Sequence, residues 1–113
     1  MASSGLRGPF ALITATIDGV VTKTSPGAYA LGWVNENRIF RIQCVGRADD
    51  DVNKSLKYWA PTNYPQFKFE YYHSAEPAYR KECDLYHDFR PPDNVNHPAC
   101  PKGSNLICLR CGR

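Results

Sequence analysis

The chain has no long apolar run. Its most continuous one, Phe10-Ala-Leu-Ile-Thr-Ala-Thr-Ile17, is too short and too polar for the h-region of a secretory signal, and far too short to cross a bilayer. No membrane partner is therefore expected. Internal repeats and low-complexity tracts are also missing, which excludes a repeat architecture. Neither sign of charge dominates: 14 Lys and Arg stand against 11 Asp and Glu, a formal net charge of +3. Such a mildly basic balance is compatible with nucleic acid without selecting it. The five cysteines are an odd number, which a closed set of disulfides cannot use. With no secretory signal in view, reduced thiols in a cytoplasmic protein are expected, a compartment where clustered cysteines more often mean metal than disulfide.

What is present is a domain's worth of core and a distinctive tail. At 113 residues the chain suits one domain, and seven Tyr, five Phe and two Trp can fill its interior. The tail, His97-Pro-Ala-Cys100 through Cys108-Leu-Arg-Cys111-Gly112, concentrates three of the five cysteines with one of the three histidines. A Cys-x2-Cys pair ending in Gly lets Cys108 and Cys111 point at one tetrahedral ion from a tight turn. Local spacing favours His97 and Cys100 as the completing pair. The alternative is Cys83 and His87, four apart on one helical face, which would clamp the tail onto a helix. Four N/S ligands in either arrangement imply a closed structural Zn2+ site, without the open position that catalysis needs.

Residues 1–8 read as a flexible start, and Phe10 to Thr24 is open between a short helix and a hairpin around Asp18-Gly19. Ser25-Pro26-Gly27 is a turn. Ala28–Trp33 and Ile39–Val45, joined by Asn35-Glu36-Asn37, predict a hairpin whose second strand alternates Phe40, Ile42 and Cys44 with Arg41 and Gln43. The acidic run Asp49-Asp50-Asp51 suits a helix N-terminus, and Val52, Leu56 and Trp59 recur at helical spacing until Pro61. Period two returns with Phe67, Phe69 and Tyr71. Ser74 then caps a helix whose apolar stripe is Ala75, Ala78, Glu82, Leu85 and Phe89. An ionised Glu facing a core costs several kcal/mol unless it meets a cation or several donors, so Glu82 is either at the core margin or placed for a task. The order of elements predicts an α+β domain with a three-stranded antiparallel sheet flanked by helices.

Three separated blocks match one pattern: Gly27-Ala28-Tyr29, then Cys44-Val45-Gly46, then a helix, a strand and a helix bearing Glu82, followed by Leu85-Tyr86, Pro91 and Asn94. In order and spacing they resemble the GIY-YIG nuclease domain. The resemblance assigns residues 25–94 to that domain, with 1–24 an N-terminal extension and 95–113 a zinc-binding tail packed on the same domain. It implies phosphodiester hydrolysis of DNA: the helix Glu holds a divalent metal, Mg2+ or Mn2+, hairpin tyrosines orient or deprotonate the attacking water, and a helix Arg neutralises developing charge. By this correspondence Tyr29 is the first tyrosine, Glu82 the metal ligand and Asn94 the late asparagine. Two positions depart from the pattern. Cys44 stands where the second tyrosine belongs, and the helix Arg falls on Ser55, or on Lys54 if one residue in the preceding turn is not counted as inserted. Lys54 and Arg47 are then the cations available to a phosphate, and a lysine offers a point charge in place of a bidentate fork. Two classes of function remain open: a metal-dependent endonuclease, and a non-catalytic nucleic-acid-binding or protein-interaction module on the same scaffold.

Overall fold

In the computed structural model, which describes residues 4–112, the apolar periodicities resolve into strands β1 (Arg7–Ala11), β2 (Gly27–Val34), β3 (Phe40–Ala48) and β4 (Gln66–Tyr71). Three helices accompany them: α1 (Thr14–Val20), α2 (Val52–Trp59) and α3 (Ala75–Phe89). All strand pairs are antiparallel, in the order β1-β4-β2-β3. The sheet thus has four strands where the sequence pattern predicts three. The additional strand lies in the stretch expected as an N-terminal extension. Its sequence, Arg-Gly-Pro-Phe-Ala, carries no period-two signal, and a proline is tolerated there because β1 is an edge strand. Long-range pairing makes it a strand, with Phe10 opposite Phe67 and Ala11 opposite Gln66.

Within the region left open between helix and hairpin, Phe10 and Ala11 end β1 and Thr14–Val20 form α1, with Asp18 and Gly19 inside it. The next hairpin, α2 and α3 fall where their spacing predicts. Asp51 caps α2 by accepting from the Lys54 N–H at 3.3 Å. Ser74 occupies the N-cap position of α3 but makes no side-chain cap hydrogen bond. No helix among the described residues is long and apolar enough to cross a membrane.

Side chains alternate across the sheet as strand geometry requires. Tyr29, Leu31, Cys44, Phe67 and Phe69 face one side and pack with Ile17, Val52 and Leu56 of α1 and α2. Ala30, Ile42 and Val45 face the other and meet Leu85 of α3. Because β2 is central and covered on both faces, residues 27–32 are buried without interruption. Two glycines of this hairpin are required by close approach. A Cβ on Gly46 would lie 2.6 Å from the Tyr29 ring, and one on Gly27 would lie 2.6 Å from the Glu70 carbonyl oxygen.

The segment after α3 runs along the outer edge of β3. Asp93 donates its backbone N–H to Gln43 O at 2.9 Å. The Asn94 amide pairs with Val45 in both directions, accepting from its N–H at 2.7 Å and donating to its carbonyl at 3.0 Å. An edge strand's unpaired backbone groups are thereby satisfied by a side chain imitating a neighbouring strand. Asn94→Ala should destabilise the fold by about 1–3 kcal/mol, seen as a lower urea midpoint with an unchanged slope. Asn94→Asp, which can accept but not donate, should lie between alanine and wild type.

Candidate functional site

The outer edge of β3 borders an open cleft of about 910 Å3. Tyr29 reaches it by passing over Gly46, the residue opposite it in the β2–β3 ladder. Arg47 follows on β3, Glu82 enters from α3, and Asp93 and Asn94 enter from the segment beyond α3. Of the sequence-predicted residues, Tyr29, Arg47, Glu82 and Asn94 therefore line one cavity although they come from four separate stretches of chain. Lys54 does not line it. Lys54 is exposed on α2, and its neighbour Ser55 faces the cleft instead.

Glu82 lies on the buried face of α3 and is only 8% exposed. Its charge is met by Arg47, whose Nη1 donates to Oε1 at 2.7 Å while Nε donates to Asp49 Oδ1, also at 2.7 Å. The guanidinium also lies over the Tyr79 ring, 5.1 Å from its centroid. Burial raises the Glu82 carboxyl above its ordinary value, and Arg47 opposes that rise. For Arg47 itself burial works against the charge, yet the bonds to Asp49 and Glu82 hold the guanidinium above its ordinary value. The sequence places Arg47 as a free cation for phosphate, whereas the folded chain also uses it to neutralise Glu82. These bonds run through Oε1 of Glu82 and through Nη1 and Nε of Arg47.

Tyr29 is held by Trp59, whose indole N–H donates to the phenolic oxygen at 3.0 Å. Burial pushes the Tyr29 phenol up to about 12 against the pull of that bond. It therefore keeps its proton at neutral pH and can donate it in a hydrogen bond. Two further cations on the helices, Lys57 and Arg80, are engaged elsewhere. Lys57 pairs with Asp18 at 2.5 Å, while Arg80 pairs with Glu76 and donates to the Ile107 carbonyl oxygen of the tail.

A second constellation stands where α3 meets the tail. One ligand atom each from His87, His97, Cys108 and Cys111 lie within 4.8 Å of one another, a set able to hold a metal ion. His87 Nε2 is 3.4 Å from Cys108 Sγ, and His97 Nε2 is 3.4 Å from Cys111 Sγ. His97 Nδ1 lies 2.8 Å from the Pro98 carbonyl, which places the ring proton there and leaves Nε2 free as a ligand. Burial works against the Cys108 thiolate. Hydrogen bonds from the Arg110 and Cys111 backbone and from His97 and Cys83 nonetheless bring this thiol down to about 6.

The cluster takes one histidine from each of the two pairs that the sequence offered. Cys83 is not among the four: it is 1% exposed in a small core with Tyr79 and Cys108, and burial pushes its thiol up to about 12. Cys100 is exposed, its Sγ 3.9 Å from the Ser104 carbonyl oxygen. Spacing on one chain segment could not reveal this set, because α3 and the tail meet only in the folded chain.

Comparison with protein-family models, with curated proteins and with solved structures gives no match.

The arrangement makes thiol reactivity diagnostic. In metal-loaded protein one cysteine, Cys100, should react rapidly with a thiol reagent at pH 8, because Cys44 and Cys83 are buried and the other two are ligands. Adding a strong chelator should expose Cys108 and Cys111 to the reagent and lower the melting temperature. Protection of Cys100 by metal would assign it to the ligand set instead.

Proposed function

We propose that the cleft hydrolyses phosphodiester bonds of DNA using a divalent cation on Glu82, and that His87, His97, Cys108 and Cys111 hold a structural Zn2+. The observation that carries the hydrolysis is the convergence of Tyr29, Arg47 and Glu82, three chemically complementary groups from distant stretches, in one open cleft. The residues fit a hard cation, since Arg47 bonds Oε1 of Glu82 and leaves Oε2 as an anionic oxygen ligand. A bound Mg2+ or Mn2+ supplies positive charge for the phosphate oxygens in the transition state. Glu82 holds that ion. Arg47, fixed by two carboxylates and the Tyr79 face, keeps the N–H pair of Nη2 for a phosphate oxygen. Tyr29, protonated and anchored by Trp59, orients the attacking water through its hydroxyl.

The zinc reading rests on donor chemistry and spacing. Two imidazole nitrogens and two thiolates form a closed tetrahedral set, and zinc bonds of about 2.0–2.1 Å to N and 2.3 Å to S place neighbouring N and S atoms about 3.5 Å apart. Two of the four N···S separations in the cluster, His87 to Cys108 and His97 to Cys111, are 3.4 Å, and all four ligand atoms lie within 4.8 Å of one another. Such a site closes the tail onto α3, the helix that carries Glu82.

A second reading, a DNA-binding module without catalysis, is favoured by Ser55, which faces the cleft where the resembled pattern has its arginine. The two separate cleanly. Purified protein incubated with plasmid and Mg2+ or Mn2+ should nick or linearise it, and chelation should stop the reaction. Glu82→Gln, which retains an acceptor for Arg47, should lower the rate by about 100-fold or more. Cleavage unaffected by that substitution sinks the hydrolytic reading. Absence of cleavage together with salt-dependent DNA affinity leaves the binding module.

A further inference from the structure

The proposed hydrolysis needs a group to receive the proton of the attacking water, and neither tyrosine position of the hairpin supplies one. Tyr29 keeps its own proton. At the second position stands Cys44, a thiol pushed up to about 11 by burial, with the charges of Asp93 and Glu82 adding to the rise. A different pair reaches the same place. Tyr64, in the loop between α2 and β4, donates its phenolic O–H to Asp93 Oδ2 at 2.6 Å. Its ring packs edge-on against Trp59, with centroids 5.9 Å apart, and Trp59 is the residue that anchors Tyr29. Asp93 is held from its other side by the backbone bond to Gln43 O at 2.9 Å. It lines the cleft together with Tyr29, Cys44 and Glu82, and its Oδ1 accepts no protein hydrogen bond among the described residues.

We propose that Asp93 is the general base of the phosphodiesterase cleft and Tyr64 its positioning residue, the two together filling the role that Cys44 cannot. The assignment rests on the hydrolytic reading above. An O–H bond of the attacking water breaks and its proton passes to Asp93 Oδ1 as the water oxygen bonds to phosphorus. The bond from phosphorus to the leaving ester oxygen breaks, and that oxygen takes a proton from solvent. Asp93 later returns its proton to solvent, so no oxidant or co-reactant is required. The Tyr64 bond fixes the carboxylate so that Oδ1 points at water, a geometric contribution that does not require Tyr64 to touch the substrate.

The test measures kcat and KM for plasmid cleavage by the full chain with Mn2+. Asp93→Asn should lower kcat by about 100-fold or more with KM within about twofold, and Tyr64→Phe should lower kcat about tenfold, again without moving KM. Asp93→Ala should regain activity in proportion to added formate, a small carboxylate that can enter the vacated space, whereas Glu82→Ala should not. Each variant is checked by its urea midpoint, and Tyr64→Phe, which removes one hydroxyl from a half-buried ring, covers the case in which an Asp93 variant fails to fold. An Asp93→Asn protein that keeps more than half of kcat while Glu82→Gln is inactive overturns the base assignment and leaves the hydrolytic reading standing. Failure of formate rescue, or a Tyr64→Phe effect confined to KM, likewise overturns the pair. A wild-type chain that cleaves nothing overturns both this assignment and the reading beneath it.

Discussion

A carboxylate on the buried face of a helix has to be neutralised before that helix can pack, and Glu82 meets this constraint through Arg47. Removing one partner of a buried ion pair generally costs about 3–5 kcal/mol, much of it the penalty for the charge left behind. The pair joins α3 to the end of β3, and Asp49 and Tyr79 hold the guanidinium in place from two further directions. The same contact leaves one oxygen of Glu82 and one nitrogen of Arg47 outside it. A structural requirement thus produces a pre-oriented anion and cation side by side in an open cleft.

The cleft exists because β3 is an edge strand that is only partly covered. Beyond α3 the chain returns along this edge, with Asp93 bonded to Gln43 and Asn94 clamped on Val45. These contacts seal the strand up to Val45, where Gly46 permits Tyr29 to cross over. Asn94 is accordingly explained by its backbone partner: only a carboxamide offers an acceptor and a donor at the spacing of a peptide unit. The tail is anchored further on, where His97, Cys108 and Cys111 meet His87 of α3. Arg80 adds a bond to the Ile107 carbonyl, and Arg110 pairs with Asp84 and Asp88. The tail acts as a strap from α3 across the edge of the sheet, and the donor set is its buckle.

Much of this was legible before folding because its cause is local. Alternation in Phe40 to Val45 and Phe67 to Tyr71 marks strands, and the recurrence of Val52, Leu56 and Trp59 marks a helix, since the periods of strand and helix are properties of the backbone. Glu82 was conspicuous for the same reason, as a charge on an otherwise apolar stripe. β1 was not legible: Arg-Gly-Pro-Phe-Ala has no preference of its own and becomes a strand only by pairing with β4. The completing ligands were legible as two candidate pairs, Cys83 with His87 and His97 with Cys100. The packing of α3 against the tail then brought His87 and His97 together, buried Cys83 beside Tyr79, and left Cys100 exposed.

By itself the sequence determined the β2–β3 hairpin, α2, β4 and α3, that the Cys108-x2-Cys111 turn offers two thiolates, and that Glu82 would need a partner. Those properties follow from backbone periodicity, ligand spacing and the cost of burying charge, all of which act over a few residues. Only the tertiary structure decided that Arg47 is that partner, that Tyr64 reaches Asp93 from 29 positions away, and that one histidine from α3 and one from the tail join the thiolates. Contacts between groups so far apart in sequence depend on how the elements pack and in what register, and no local period encodes that.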